Sequence, residues 1–299
     1  MRKILVSTTT FSQYSNEPIE LLTSQGYDID HNQLGRKLTE EEIKNDVTAY
    51  DGILAGTETY SASVLTKAKN LKVISRLGVG LDNIDMDFAN KKNIKIYKTQ
   101  TTPAPAVAEL TLGLIFNLMR NISMHNQQLK NGLWHKQMGE LLTGKTLGIV
   151  GMGNIGKQLV KILGGFNLNI IAHDLYPDEK FANLFNIQYV DFDSLLLKSD
   201  IVSIHLNLTK ETNKLFGFET FQKMKRSAII INVSRGEIID EHSLIKSLEE
   251  KLIQGAGLDV FENEPYDGTL TNYDNVILTP HVGAYAKEIR MQMELEAAQ

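Results

Sequence analysis

The sequence contains no cysteine. That absence excludes disulfides, thiolate zinc sites and a cysteine nucleophile together. No apolar run approaches the ~18 residues that a membrane-spanning helix needs. The opening Met1-Arg-Lys-Ile-Leu-Val begins like a secretory signal, but its apolar stretch stops at Ser7-Thr-Thr-Thr and reads as a strand. A cytoplasmic location is therefore the default expectation. Basic residues are not in excess: the formal charge is −5, and the lysines are scattered rather than blocked. No positive face is available for nucleic acid, and no motif in the chain requires a metal. What remains is a globular composition, 42% hydrophobic and 22% charged, over 299 residues. Two domains of ordinary size, each with its own core, fit that length.

The most informative stretch is Lys145-Thr-Leu-Gly-Ile-Val-Gly-Met-Gly-Asn-Ile-Gly156. Leu147 to Val150 has the apolar continuity of a buried parallel strand. It breaks at a G-x-G-x-x-G, and Ile155, Leu159, Ile162 and Leu163 then follow at helical spacing. Gly164-Gly165 stops that helix, and Asn169 to Ala172 forms a second strand ending at His173-Asp174. Strand, glycines, helix, strand and a terminal acid about twenty residues on predict a dinucleotide site. Gly151 permits the tight turn, Gly153 lets a pyrophosphate approach the backbone, and Gly156 allows close helix packing. The helix N-terminus offers free N–H groups to the phosphates. Asp174 is placed to accept from the ribose hydroxyls. A 2′-phosphate there would meet a carboxylate, at a cost of roughly 4 kcal/mol for charges ~4 Å apart at an effective dielectric near 20. The expectation is NAD rather than NADP.

Around this unit strands and helices alternate. Strands are expected at Ile4–Ser7, Tyr27–Asp30, Gly52–Ala55, Lys72–Ser75 and Ile94–Tyr97, then at Ile187–Val190, Ile201–Leu206, Ala228–Val233, Ala256–Val260 and Asn275–Leu278. Pro18 suits a first helical turn, and Thr39-Glu-Glu-Glu42 has capping-box spacing. Further helices are expected near 178–185, 193–198, 218–224 and 241–250. Alternation of this kind predicts an α/β chain with two doubly wound parallel sheets. A helix over Val107 to Met124, with Leu110, Leu114, Leu118 and Ile122 on one face, reads as the crossing between domains. The Trp134 region reads as an arm toward a second subunit, with plain packing as the commoner role of a lone Trp.

Chemistry concentrates where strands end. Arg76-Leu-Gly-Val-Gly80 follows a strand, and the N–H groups of Val79 and Gly80 suit a carboxylate nest; a turn needing only positive φ is the plainer reading. Arg235 follows Ile229–Val233, Asp259 and Glu264 follow another buried strand, and His281 follows Val276–Pro280. An arginine holds a carboxylate or keto oxygen in bidentate fashion. A histidine oriented by a carboxylate moves protons near neutral pH. Each also has a plainer role: Asp259 and Glu264 as loop caps, Arg235 paired with Asp240, and His281 as a turn residue.

Taken together these segments resemble the D-isomer-specific 2-hydroxyacid dehydrogenases along essentially the whole chain. The resemblance is carried by the glycines at 151–156, Val233-Ser-Arg-Gly-Glu-Ile-Ile-Asp240, Gly255-Ala-Gly-Leu-Asp-Val-Phe-Glu-Asn-Glu-Pro265 and Thr279-Pro-His-Val-Gly283. Within the family, Leu77–Asp85 and His281–Glu288 look most like phosphoglycerate dehydrogenases. The resemblance implies a flavodoxin-like substrate domain, residues 1–100 with 286–299, and a Rossmann NAD-binding domain, 101–285. It implies that Arg235 binds and polarises the substrate while His281, oriented by Glu264, is the acid/base. Asn154, Ile155, Asn207, Thr212, Val233, Ser234, Asp259, Gly283 and Ala284 would touch NAD, beside Gly151, Gly153, Gly156 and Asp174. Val79 and Gly80 would hold the substrate carboxylate, and Arg76 a distal phosphate. A homodimer built on the nucleotide domain, with substrate between the domains, is the implied assembly.

The chain also departs from the family pattern. Asn154 stands where an arginine often helps the pyrophosphate, and Asn207 replaces a usual proline. Ala104-Pro105-Ala106 lacks the common Gly-Ala-Asn, Ala286 replaces a frequent threonine, and Ala55-Gly56 lacks the arginine that some phosphoglycerate enzymes use. The expected reaction interconverts a D-2-hydroxy acid and its 2-keto acid. 3-Phosphoglycerate is the first substrate reading, and glyoxylate, hydroxypyruvate or another 2-keto acid the rival. An NAD-sensing corepressor of the same fold is the alternative from another class. No serine-binding regulatory module is expected.

Overall fold

In the computed structural model, which describes residues 2–299, the chain forms two compact α/β units. One runs up to Pro103 and resumes at Tyr285; the other is Ala104–Ala284. Each is built on a wholly parallel sheet.

The first unit carries β1 (Arg2–Val6), β2 (Tyr27–His31), β3 (Gly52–Ala55), β4 (Val73–Arg76) and β5 (Lys95–Lys98). Their order is β2-β1-β3-β4-β5, the flavodoxin-like winding. β3 is buried along its length, as a strand covered on both faces must be. Thr39 and Glu42 form the expected capping box: Thr39 accepts from Glu42 N–H, and Glu42 accepts from Thr39 N–H. The last helix, Lys287–Ala298, packs back on this unit. Its Glu296 accepts from the N–H groups of Gln100 and Thr101 at 2.7 and 2.9 Å, so the helix clasps the chain just after β5. Arg290 and Glu294 form a buried ion pair, and Glu294 also takes the Ser12 N–H at 2.9 Å.

The second unit holds β6 (Thr146–Val150), β7 (Asn169–His173), β8 (Gln188–Tyr189), β9 (Ile201–Ile204), β10 (Ile229–Asn232), β11 (Gly255–Leu258) and β12 (Val276–Leu278). The order β12-β11-β10-β9-β6-β7-β8 is a Rossmann winding whose direction reverses between β6 and β9. Every residue of β9, β10 and β11 is buried. Each of the three isoleucines opening β10 contributes roughly 2 kcal/mol of burial.

Two expectations change here. The helix foreseen over Val107 to Met124 is two helices, Ala104–Arg120 and Ile122–Lys130, broken at Asn121 in the left-handed conformation (φ 54°). Ile122 therefore leaves the apolar face and is exposed. Nor is the first of these helices a crossing: it belongs to the second unit and lies on β11. A Cβ on Gly257 would come within 3.2 Å of Leu114, so the missing side chains of β11 make the helix's seat.

Candidate active site

Because the strands of the second unit are parallel, all their carboxyl ends open on one edge. The register fixes which residues meet there: Asn232 pairs Leu258, and Leu258 pairs Leu278. Val233, Asp259 and Thr279 are thus the first residues past the sheet on neighbouring strands.

The fingerprint turn comes first. Gly151 has φ +95°, and a Cβ there would lie 2.5 Å from the His205 carbonyl, so only glycine fits. A Cβ on Gly156 would meet the Gly151 carbonyl at 2.6 Å, which seats the helix Asn154–Ile162 against the turn. Gly153 differs, since a Cβ there would meet nothing within 4 Å. That open space lies at the start of a nine-residue helix with no side-chain cap, beside the exposed Asn154 and the partly exposed Ile155. Asp174, just past β7, accepts the Met152 N–H at 2.7 Å and the Tyr176 N–H at 2.8 Å. Each carboxylate oxygen has further acceptor capacity for sugar hydroxyls. The donor set fits a dinucleotide: backbone amides for the phosphates, a carboxylate for the ribose. The nearest cation in the helix, Lys157, is paired with Asp178 at 2.5 Å, and Asn154 is neutral, which leaves backbone amides as the donors this turn offers to phosphates.

His205, which sequence reasoning passed over, lies at the end of β9 where the winding reverses. Its Nε2 is 2.8 Å from the Ser203 hydroxyl, and its buried Nδ1 makes no hydrogen bond. Burial pushes its pKa down to about 3, so it is a neutral wall of the turn and not a rival acid. Further along, the Thr212 hydroxyl bonds the Asn207 carbonyl at 2.8 Å and shapes that loop.

Past β10 a second missed residue does the organising. Asn232, buried, accepts from the N–H and hydroxyl of Ser234 and donates to the Arg235 carbonyl at 2.8 Å. A buried polar residue closing an Ile-Ile-Ile strand was the available signal. Val233 and Ser234 are buried behind this turn, and Arg235 projects from it, with Nη1 donating to the Ser234 carbonyl at 2.7 Å. The plainer pairing of Arg235 with Asp240 is not what forms; Asp240 caps the helix Glu241–Glu249 and pairs with Lys214 at 3.1 Å. Gly236 touches the next loop so closely that a Cβ would fall 1.9 Å from the Phe261 carbonyl carbon.

Past β11 and β12 the carboxylates divide their labour. Asp259 is 1% exposed and accepts from the Thr279 hydroxyl (2.6 Å), Val282 N–H (2.8 Å) and Gly283 N–H (2.8 Å). Burial pushes its carboxyl above the usual range, while those donors pull the other way. It is therefore the cap of the Thr279–Gly283 loop, a role beside the cofactor contact that the resemblance implies. His281 sits in that loop at φ 54°, a conformation costing roughly 1–2 kcal/mol for a residue with a Cβ. It is held there because its N–H bonds the Asp259 and Thr279 carbonyls at 2.9 and 3.0 Å. The result aims Nδ1 at both oxygens of Glu264, 3.0 Å from each. With Glu264 ionised, Nδ1 is the nitrogen that carries the proton in the neutral ring.

In the first unit Val79 is exposed, and neither its N–H nor that of Gly80 makes a hydrogen bond within the protein. Gly78, at φ +149°, sets the turn. Arg76 is not extended: it is 7% exposed, and its guanidinium folds back to the Leu77 carbonyl. Among the described residues no helix is long and apolar enough to cross a membrane, and no group of three His, Asp or Glu is arranged for a metal.

Comparison with known proteins places these features. Residues 112–283 match the profile of the D-isomer specific 2-hydroxyacid dehydrogenase, NAD binding domain. A hydroxypyruvate reductase of Thermotoga maritima is 39% identical over 266 residues, which is 87% of this chain and 86% of that protein. A D-3-phosphoglycerate dehydrogenase of Methanocaldococcus jannaschii is 41% identical over 256 residues, 84% of this chain, which spans only 49% of the relative's length. Among solved structures, the TT0316 protein of Thermus thermophilus superposes with a TM-score of 0.87 at 30% identity, covering 99% of this chain and 94% of its own.

Proposed function

Since this chain belongs to the D-isomer specific 2-hydroxyacid dehydrogenase family and uses NAD, we propose that it reduces a short 2-keto acid lacking a distal phosphate. Arg235, Glu264 and His281 are assigned as its working residues. The observation that carries the assignment is the His281–Glu264 pair, 3.0 Å apart at the sheet edge that also holds the fingerprint turn. When bound, the nicotinamide supplies or accepts the hydride at C2. In reduction, protonated His281 gives its Nε2 proton to the forming alkoxide; in oxidation, the neutral ring takes it back. Glu264 stabilises the imidazolium that forms between those steps. Arg235 clamps the keto oxygen and polarises it. On the first unit, the free N–H groups of Val79 and Gly80 are assigned to the substrate carboxylate.

The turned-in Arg76 moves the substrate reading from 3-phosphoglycerate toward hydroxypyruvate or glyoxylate, because its guanidinium is buried and directed at the Leu77 carbonyl rather than extended toward a ligand. NADH oxidation against a keto-acid panel tests this. The expected order is hydroxypyruvate or glyoxylate above 3-phosphohydroxypyruvate. Tight NADH binding without turnover of any member would favour the NAD-sensing alternative instead.

A homodimer belongs to the same reading. Trp134 is 81% exposed, and Met138, Leu133 and Leu141 are also exposed on the segment after the helix Ile122–Lys130. An apolar strip of this kind marks an association surface. Light scattering should return a dimer mass that falls to monomer in Trp134→Glu; a monomeric wild type removes the assignment.

A further inference from the structure

The first sheet's carboxyl edge holds a charge that the mechanism above does not use. β3 and β4 pair with Ala55 opposite Arg76, so Gly56 and Leu77 leave the sheet side by side. The two loops stay together beyond the sheet. Asn83 donates to the Gly56 and Glu58 carbonyls at 3.2 and 2.6 Å, and Tyr60 N–H bonds the Asn83 carbonyl at 2.8 Å. Glu58 is therefore fastened to the loop that bears Val79 and Gly80. Its carboxylate is 3% exposed and accepts from the Ser7 hydroxyl at 2.8 Å and the Gly56 N–H at 2.7 Å. The Tyr60 hydroxyl supports the arrangement through Ser7 at 3.1 Å. Position 56 matches it: a Cβ there would stand 2.9 Å from Glu58 Oε1 and 2.9 Å from Thr8 Cγ2. The glycine and the carboxylate thus exclude any larger residue, a cation included, from the end of β3. Thr8 adds a buried hydroxyl that makes no hydrogen bond.

We propose that Glu58 is a specificity-determining charge filter, which excludes 2-keto acids bearing an anionic group beyond C3 and leaves those with a neutral C3 substituent. The inference rests on the assignment of the substrate carboxylate to Val79 and Gly80. Asn83 fastens the two loops together. For a separation on the order of 8 Å between Glu58 and the far end of a three-carbon substrate, with an effective dielectric near 20, one unit of like charge costs about thirtyfold in binding. Salt reduces this to an expected factor of about ten.

The test compares hydroxypyruvate with 3-phosphohydroxypyruvate, which differ only in the phosphate, for wild type and Glu58→Gln. The amide oxygen still accepts from Ser7 and Gly56, so a merely structural loss would lower both substrates together. Glu58→Gln should cut the preference for hydroxypyruvate by about tenfold. The change should sit in KM for the phosphorylated substrate, while kcat/KM for hydroxypyruvate stays within about threefold. Added salt should narrow the preference of wild type and leave the variant's unchanged. An unchanged preference in Glu58→Gln, or a wild type that reduces both substrates equally, overturns the filter while the reaction class stands. Wild type that binds NADH and reduces neither overturns the reaction itself, and the filter with it. A wild-type arm does not depend on the variant's folding: D-glycerate should inhibit more strongly than 3-phosphoglycerate, by a margin that shrinks with salt. Equal inhibition at low salt would also overturn the filter.

Discussion

Replacing His281 with alanine is expected to lower kcat by about 10³-fold while the NADH dissociation constant stays within about threefold, since general acid–base catalysis contributes 10²–10⁴-fold. Among the described residues, the histidine is the group at this edge whose Nδ1 is fixed by a carboxylate. His205, the other imidazole near the turn, is held neutral by burial and cannot take over. Backbone strain must be separated from lost chemistry, because position 281 is left-handed. Asparagine tolerates that conformation better than other residues with a Cβ and still cannot move a proton. His281→Asn should therefore fall as far as the alanine variant. Single-turnover reduction at the wild-type rate in either variant, with NADH binding lost instead, would end the acid–base assignment and leave the residue a part of the cofactor site.

Arg235→Lys is expected to cost about 10²-fold or more in kcat/KM, the loss of two charge-assisted hydrogen bonds at roughly 1.5 kcal/mol each. The charge is kept in this variant; the geometry is not. The guanidinium is planar, and one of its nitrogens is already tied to the Ser234 carbonyl at 2.7 Å, so its orientation is fixed by the turn. An ammonium on a flexible stem offers a point charge with no fixed direction. The turn beneath it, held by Asn232, should survive the change. Thermal unfolding close to wild type would locate the loss in the site, whereas kcat/KM near wild type would make Arg235 structural.

Much of this was legible in the residues because parallel strands report themselves plainly. Apolar runs such as Ile229-Ile-Ile, followed by a polar turn, mark both a strand and its carboxyl end. Since all such ends share one edge, Asp259, Glu264 and His281 could be grouped without coordinates. What stayed hidden depends on side-chain direction and on single backbone torsions. Arg76 has the right position for a phosphate ligand, but its rotamer carries it back to Leu77, and nothing in the local sequence fixes a rotamer. Asn121 ends a helix by turning left-handed between two stretches that both favour helix. Glu58 acts through a bond to a residue that is near only after folding, Ser7, 51 positions away.

The contact between Gly236 and Phe261 has a mechanical consequence. With no room for even a methyl group between them, the turn bearing Arg235 and the loop leading to Glu264 cannot slide past each other without unpacking. Glu264 in turn meets the His281 ring, and Asp259 clamps the backbone around it. Arg235, Glu264 and His281 are therefore carried on loops that are packed and bonded to one another. On the proposed assignment, the spacing between the polarising and proton-moving groups is set by this packing rather than by the arrival of substrate.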